Sequence, residues 1–384
     1  MRMKKYLILA LTAAIAAVGC SKTFEVVPTP TDTNPIGFGT WANVLTKATH
    51  ATGSGNTAFT NGEAFDVYGY KTLAADQVVF DGDDVTYAST SQTWSYTNKR
   101  FWDPSASQYV FFAVLPAGNL AAEAHAGDYA KTGLFTSNDI TFDDPTSYTN
   151  DILVADKKTV TPTGSAGSYV YSGDVQMQFN HAASRVDFKV KQDNALGDAT
   201  VTVTDLALIN ISNKGHFTVS NYTTNAPSPT ITWTPAASPT TLGAEGVYSI
   251  ISSGSVSVPA TAKTIYDTDA DPDADNDVTA SAATLFSDYV FMPQTISDDT
   301  QKLRISYTIQ IGSEAANVYT NKEFDLLDFM TADSNNNSAG SAIAAWAPGT
   351  HYTYYLTIGA NAITFTASVK AWTTTTDGYQ YLLK

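Results

Sequence analysis

The chain predicts an all-β protein made of sandwich layers. Three observations carry that prediction. Apolar and polar residues alternate with period 2 over much of the 384 residues, so each run has one face for a core and one for water. Gly, Pro, Asn and Asp punctuate the runs as turns. Tyr is the commonest aromatic and charged residues make up only 15%, a balance that suits pleated, half-buried surfaces.

The chain begins with Arg2, Lys4 and Lys5, then an apolar stretch from Tyr6 to Val18, then Gly19 and Cys20. A basic start, a short apolar core and small residues at its end make an export signal. The stretch is shorter than the roughly 20 apolar residues that a membrane span needs. Cys20, the only cysteine, stands at the cleavage point, and its thiol resembles the lipid acceptor of bacterial lipoproteins. Residues 1–19 therefore read as a lipoprotein signal peptide and Cys20 as the lipidated first residue of an outer-membrane precursor. Residues 20–34, rich in Pro and Thr, read as a flexible tether.

Strand patterns follow. Val175, Met177 and Phe179 alternate with glutamines, and Val186, Phe188 and Val190 alternate with Asp187, Lys189 and Lys191. Leu303, Ile305, Tyr307, Ile309 and Ile311 form a longer run. Tyr352, Tyr354, Leu356 and Ile358 form another, and Ile363, Phe365, Ala367 and Val369 the last clear one. Helical patterns are scarce: residues 322–331 and a turn or two in 119–131 are the candidates. The Gly-, Ser- and Pro-rich stretch 162–174 predicts a boundary, giving an N-terminal sandwich over 35–168 and a C-terminal one over 173–384. Residues 81–84 (DGDD) read as a turn.

The net charge is −16. Loss of residues 1–19 leaves 18 basic residues against 37 acidic, a net charge of −19. Such a chain repels nucleic acid, which is bound chiefly through Lys and Arg on phosphates. There is no G-x-S-x-G elbow, no H-E-x-x-H, no phosphate-binding loop, and the five histidines are scattered. The sequence therefore predicts no catalytic residues and no cofactor. Asp267, Asp269, Asp271, Asp273 and Asp275 repeat at every second position and offer hard oxygens to calcium. Counted from Asp267, the glycine and glutamate positions of a helix–loop–helix calcium site hold Pro272 and Val278. The run reads as a solvated acidic loop, with a weak calcium site as the alternative. The six tryptophans read as packing residues, with sugar stacking as the alternative.

Four segments in order resemble the fimbrillin-like family of type V pilins. They are Ile36-Gly37-Phe38-Gly39-Thr40 with Thr46-Lys47-Ala48; Trp94 to Trp102 with Tyr109 to Pro116; Phe179 to Phe188, containing His181 and Arg185; and Trp346 to Gly349 with Tyr352, Tyr354 and Ile363 to Trp372. The resemblance implies two transthyretin-like antiparallel β-sandwich domains in tandem. It also implies a structural subunit of a surface fimbria, lipidated on export and cut by a trypsin-like protease between Lys47 and Ala48. The strand near Ile36–Leu45 would leave, and a strand from another subunit would fill its place. The donor is expected within Ile363–Leu383, with Ile363, Phe365 and Val369 as its apolar residues. The implied partners are other fimbrial subunits, the outer membrane through lipid, and a host or bacterial surface ligand. His181 and Arg185 read as packing and hydrogen-bonding residues. The alternative reading is a non-polymerising surface lipoprotein that anchors a fimbria or binds glycan.

Overall fold

Ala64–Thr72 (AFDVYGYKT) is the strand around which the first lobe is organised, because both its faces are buried. Phe65 and Val67 point into one core and Tyr68 into another. A computed structural model describes this strand among residues 34–40, 59, 61–118, 135–147, 150–220, 230–237, 240–251, 254–258, 283–331, 341–360 and 363–371. Ala64–Thr72 pairs antiparallel with Gln108–Leu115 on one side and Asp76–Ala88 on the other. Leu153–Ala155, Phe179–His181, Lys158–Val160 and Thr93–Ser95 complete a seven-stranded sheet. Over one face lies a two-stranded ribbon, Phe38–Thr40 parallel to Val175–Met177. The first core fills the space between them.

The second lobe is a sandwich. One sheet holds Ala283–Phe291, Ser184–Gln192, Thr350–Ile358 and Ile363–Ala371 in that spatial order. The other holds Thr200–Ile209, Lys302–Gln310 and Asn317–Asp325, with Val247–Ser249 and Val256–Val258 on the outer edge of Thr200–Ile209. Val186, Phe188 and Val190 meet Leu303, Ile305 and Ile309 in a shared core. Pairing between named strands is antiparallel except for the 38–40 ribbon and Ser184–Gln192 against Thr350–Ile358. The latter two strands are separated by more than 150 residues of chain, the long crossover that parallel pairing requires.

A third sheet joins the lobes. Lys214–Ser220 pairs with Thr230–Pro235 and with the short strands Phe135–Thr136 and Ile140–Thr141. It covers the outer face of the seven-stranded sheet. Phe217, Val219 and Phe142 pack there with Phe112, Val114 and Val154, and with Val290 and Met292 of the second lobe. Trp233 Nε1 donates to the Ala182 carbonyl at 2.6 Å, where the chain passes between lobes. Val175–Met177 and Phe179–His181, beyond the expected boundary stretch 162–174, pair inside the first lobe. Ser184–Gln192 is the next strand and belongs to the second.

Three local expectations are corrected or bounded. Residues 322–331 are not a helix: 322–325 end the strand Asn317–Asp325, and Leu326–Asp328 is a single 3-10 turn. Pairing of Phe324 with Leu303 overrides the local helical pattern. Residues 119–131 lie outside the described residues. Residues 81–84 are not a turn but lie inside Asp76–Ala88. Gly82 has φ 80°, and the register shifts between Val67 and Tyr68 beside it, so the glycine is absorbed as a bulge in a continuing strand. Among the described residues there is no α-helix, and none long and apolar enough to cross a membrane.

Two tests follow from this packing. Trp346 Nε1 donates to the Tyr354 hydroxyl at 2.7 Å, and both side chains are buried. Tyr354→Phe leaves that N–H unpaired and is expected to cost about 1–3 kcal/mol in chemical denaturation. Asp66 stands opposite Asp84 in register and accepts from Gly118 N–H at 2.7 Å. Burial pushes its carboxyl up to about 6; the Gly118 hydrogen bond opposes the rise and Asp84 adds to it. Between about pH 4 and 6 the folded chain holds a proton that the unfolded chain has released, so this group's contribution falls as pH rises. Asp66→Asn should remove that loss, and the denaturation midpoint of the variant should gain on the wild type from pH 4 to pH 7.

Candidate functional site: a strand-filled groove in the first lobe

Residues 34–40 read Asn-Pro-Ile-Gly-Phe-Gly-Thr, with large apolar side chains at 36 and 38 and glycines at 37 and 39. In an extended chain this places both large side chains on one face. Ile36 and Phe38 are accordingly buried in the first core. Phe38 sits among four rings, those of Phe80 at 5.3 Å, Tyr96 and Phe111 at 5.8 Å, and Phe65 at 6.0 Å, all edge-on. Such edge-to-face pairs add to the area that an aromatic side chain buries. On the opposite face the absent side chains leave room: Asp174 and Gln176 lie where Cβ atoms of Gly37 and Gly39 would stand.

Two walls hold the segment. On one side Phe38, Gly39 and Thr40 pair with Val175, Gln176 and Met177, and Gly37 O accepts from Val175 N–H at 2.8 Å. On the other side Ile36 N–H donates to Arg100 O at 2.9 Å and Pro35 bridges Phe101. The Tyr96 hydroxyl donates to Ile36 O at 2.7 Å, and burial raises its pKa, keeping it a donor. Arg100 fixes the second wall, with Nε on Val79 O at 3.1 Å and an ion pair to Asp83 at 3.5 Å. The segment thus relies on two large side chains and a short ladder. Burying an Ile and a Phe contributes on the order of 3–6 kcal/mol.

A cleft of about 300 Å³ opens beside Val175 and Gln176, bordered by Trp102, Lys158, Thr161, Ser172 and Asp174. Trp102 stacks on Tyr171 at 4.7 Å, and its Nε1 is buried with no acceptor among the described residues. Next along the chain from Trp102, Asp103 pairs with Lys71 at 2.7 Å; burial opposes, but that hydrogen bond and charge hold its carboxyl low.

Cys20, Lys47, Ala48 and the acidic run Asp267, Asp269, Asp271, Asp273 and Asp275 lie outside the described residues, as do Trp41 and Trp372. Ile363, Phe365 and Val369 fall in Ile363–Ala371, which pairs with Thr350–Ile358 along all its nine positions. Trp94, Trp102 and Trp346 are buried. His181 Nδ1 contacts Asp151 at 2.7 Å within the protein, and Arg185 pairs with Asp288 beside Asp187. Asp187 also meets His351 Nε2 at 2.9 Å. Asp298, Asp299 and Asp325 cluster among the described residues, with the Lys302 ammonium at 3.4–3.6 Å from two of them as their cation. The groove's ring cage was not legible as a site, since Phe65, Phe80, Tyr96 and Phe111 come from four separate strands or turns. The alternation Ile36-Gly-Phe38-Gly was the one local signal of it.

A family model described as fimbrillin-like matches residues 46–372. The chain belongs to the fimbrillin-like family. It is also similar to the fimbrium subunit Fim1C of Phocaeicola vulgatus, 30% identical over 250 residues, which are 60% of this chain and 63% of that protein. The chain thus matches less than two thirds of that relative's length. A solved fimbrial protein from Bacteroides vulgatus is 22% identical with a TM-score of 0.49, covering 88% of this chain and 99% of the other.

Truncating the central ring of the fimbrillin-like groove tests its packing. Phe38→Ala should destabilise the intact chain by about 3–5 kcal/mol in urea titration, while Phe38→Leu, which refills much of the space, should cost clearly less.

Proposed function

We propose that this protein is a structural subunit of a surface fimbria whose Asn34–Thr40 segment is a removable plug. The precursor reaches the outer membrane through lipid on Cys20. A trypsin-like protease cuts between Lys47 and Ala48, seven residues after Thr40, and frees the plug together with the lipid. A strand from another subunit then enters the groove, supporting adhesion through a polymer on the cell surface.

The observation that carries this reading is the mismatch between the plug's burial and its pairing. Two side chains are deeply buried, yet the ribbon pairs over only three residues. While covalently attached, the segment is held at high effective concentration. Once cut free, a fragment held by about 3–6 kcal/mol binds only at about several millimolar to tens of micromolar levels. A longer strand with more ladder hydrogen bonds replaces it at an open apolar slot. Because the donor and the groove are different surfaces, addition runs head-to-tail and need not close.

The donor lies within the expected stretch Ile363–Leu383. Ile363–Ala371 is committed to its own sheet, so the proposed donor is the remainder, residues 372–383. Lys47→Ala should leave the chain monomeric by size-exclusion chromatography after trypsin-like treatment that polymerises the wild type. Polymerisation of Lys47→Ala at the wild-type rate overturns the maturation site. Mature surface protein that retains lipid on Cys20 and an intact Lys47–Ala48 bond supports the anchor instead.

A further inference from the structure

We propose that the groove selects its incoming strand by one aromatic residue, and that in this chain the residue is Tyr381 of a second copy. The proposal rests on the strand-exchange reading above and adds its specificity. The ring cage is the reason. Four aromatic rings meet Phe38 edge-on within 5.3–6.0 Å. Removing that ring leaves a cavity that an aliphatic side chain fills incompletely, and unfilled volume in a packed core is costly. The neighbouring slot holds Ile36, two positions away on the same face, and Tyr96 marks its register through the Ile36 carbonyl. An entering strand must therefore present an apolar residue and an aromatic one two apart.

Beyond Ala371 the chain continues for thirteen residues, ending Asp377-Gly378-Tyr379-Gln380-Tyr381-Leu382-Leu383-Lys384. Tyr379, Tyr381 and Leu383 share one face of an extended strand, and Gln380 and Leu382 the other. A strand running in the plug's direction puts Tyr379 in the Ile36 slot and Tyr381 in the cage. A strand running the opposite way puts Leu383 in the slot, and Tyr381 again in the cage. Tyr379 enters the cage only with Asp377 or Tyr381 in the Ile36 slot, whereas Tyr381 can enter it with Leu383 there. Tyr381 is thus the aromatic residue that reaches the cage with an aliphatic side chain, Leu383, left for the Ile36 slot.

The test uses the full chain cut after Lys47 and freed of its plug, titrated with a fluorescent peptide of residues 372–384 and read by anisotropy. The wild-type peptide is expected to bind. Tyr381→Phe should bind as well or better, because the present occupant of the cage has no hydroxyl. Tyr381→Ser should weaken binding by at least about tenfold. Leu382→Ser, on the opposite face, should change it by less than about threefold. The full-length Tyr381→Ser chain should polymerise correspondingly slowly. If Tyr381→Ser binds like the wild type while the wild-type peptide binds, the aromatic key is overturned and strand exchange stands. If the wild-type peptide does not bind the emptied groove, both readings are overturned.

Discussion

Burial of the Phe38 ring among Phe65, Phe80, Tyr96 and Phe111 is the interaction on which the first lobe depends. The seven-stranded sheet has an apolar face too large to leave in water, and only a narrow ribbon covers it. That ribbon is two strands of three residues, one of them supplied by the segment 38–40. Its backbone pairing is slight, so the side chains supply most of the hold. An element attached mainly by side-chain burial has a consequence for assembly. On the proposed reading, a longer strand with matching side chains displaces it.

The other face of the same sheet is treated differently. There the third sheet, with strands from both halves of the chain, closes over Tyr68, Phe112 and Val154. Trp233, Phe142 and Phe217 form an aromatic contact in it, and Ala182 and Ala183 pass directly beneath. The lobes are therefore joined by packed apolar surface as well as by the Ala182–Ala183 link between Phe179–His181 and Ser184–Gln192.

Much of the strand content was legible as period-2 alternation. Leu303, Ile305, Tyr307 and Ile309 are buried as their spacing requires, while Ile311 lies past the strand end and is exposed. The alternation was less informative where both faces are covered. Thr353 and Thr357 sit between apolar neighbours and read as outward, yet both are buried. The run Val175-Met177-Phe179 looked like a single strand. It divides at Gln178, with one half pairing to the plug and the other to the seven-stranded sheet. Local patterning encodes which side a residue faces, and it does not encode which strand lies alongside.

By itself the sequence determined the β-rich class, the apolar face of many of the strands and the order of the family's motifs. These are local properties, written in spacing and composition within a dozen residues. Tertiary structure alone decided that Ile36 and Phe38 close a groove, that Tyr96 and Arg100 form its far wall, and that Ile363–Ala371 is held in its own sheet. Those facts depend on contacts between segments tens to hundreds of residues apart. Each such contact must offset the entropy of closing a long loop, and the outcome is set by the whole core rather than by any one stretch of chain.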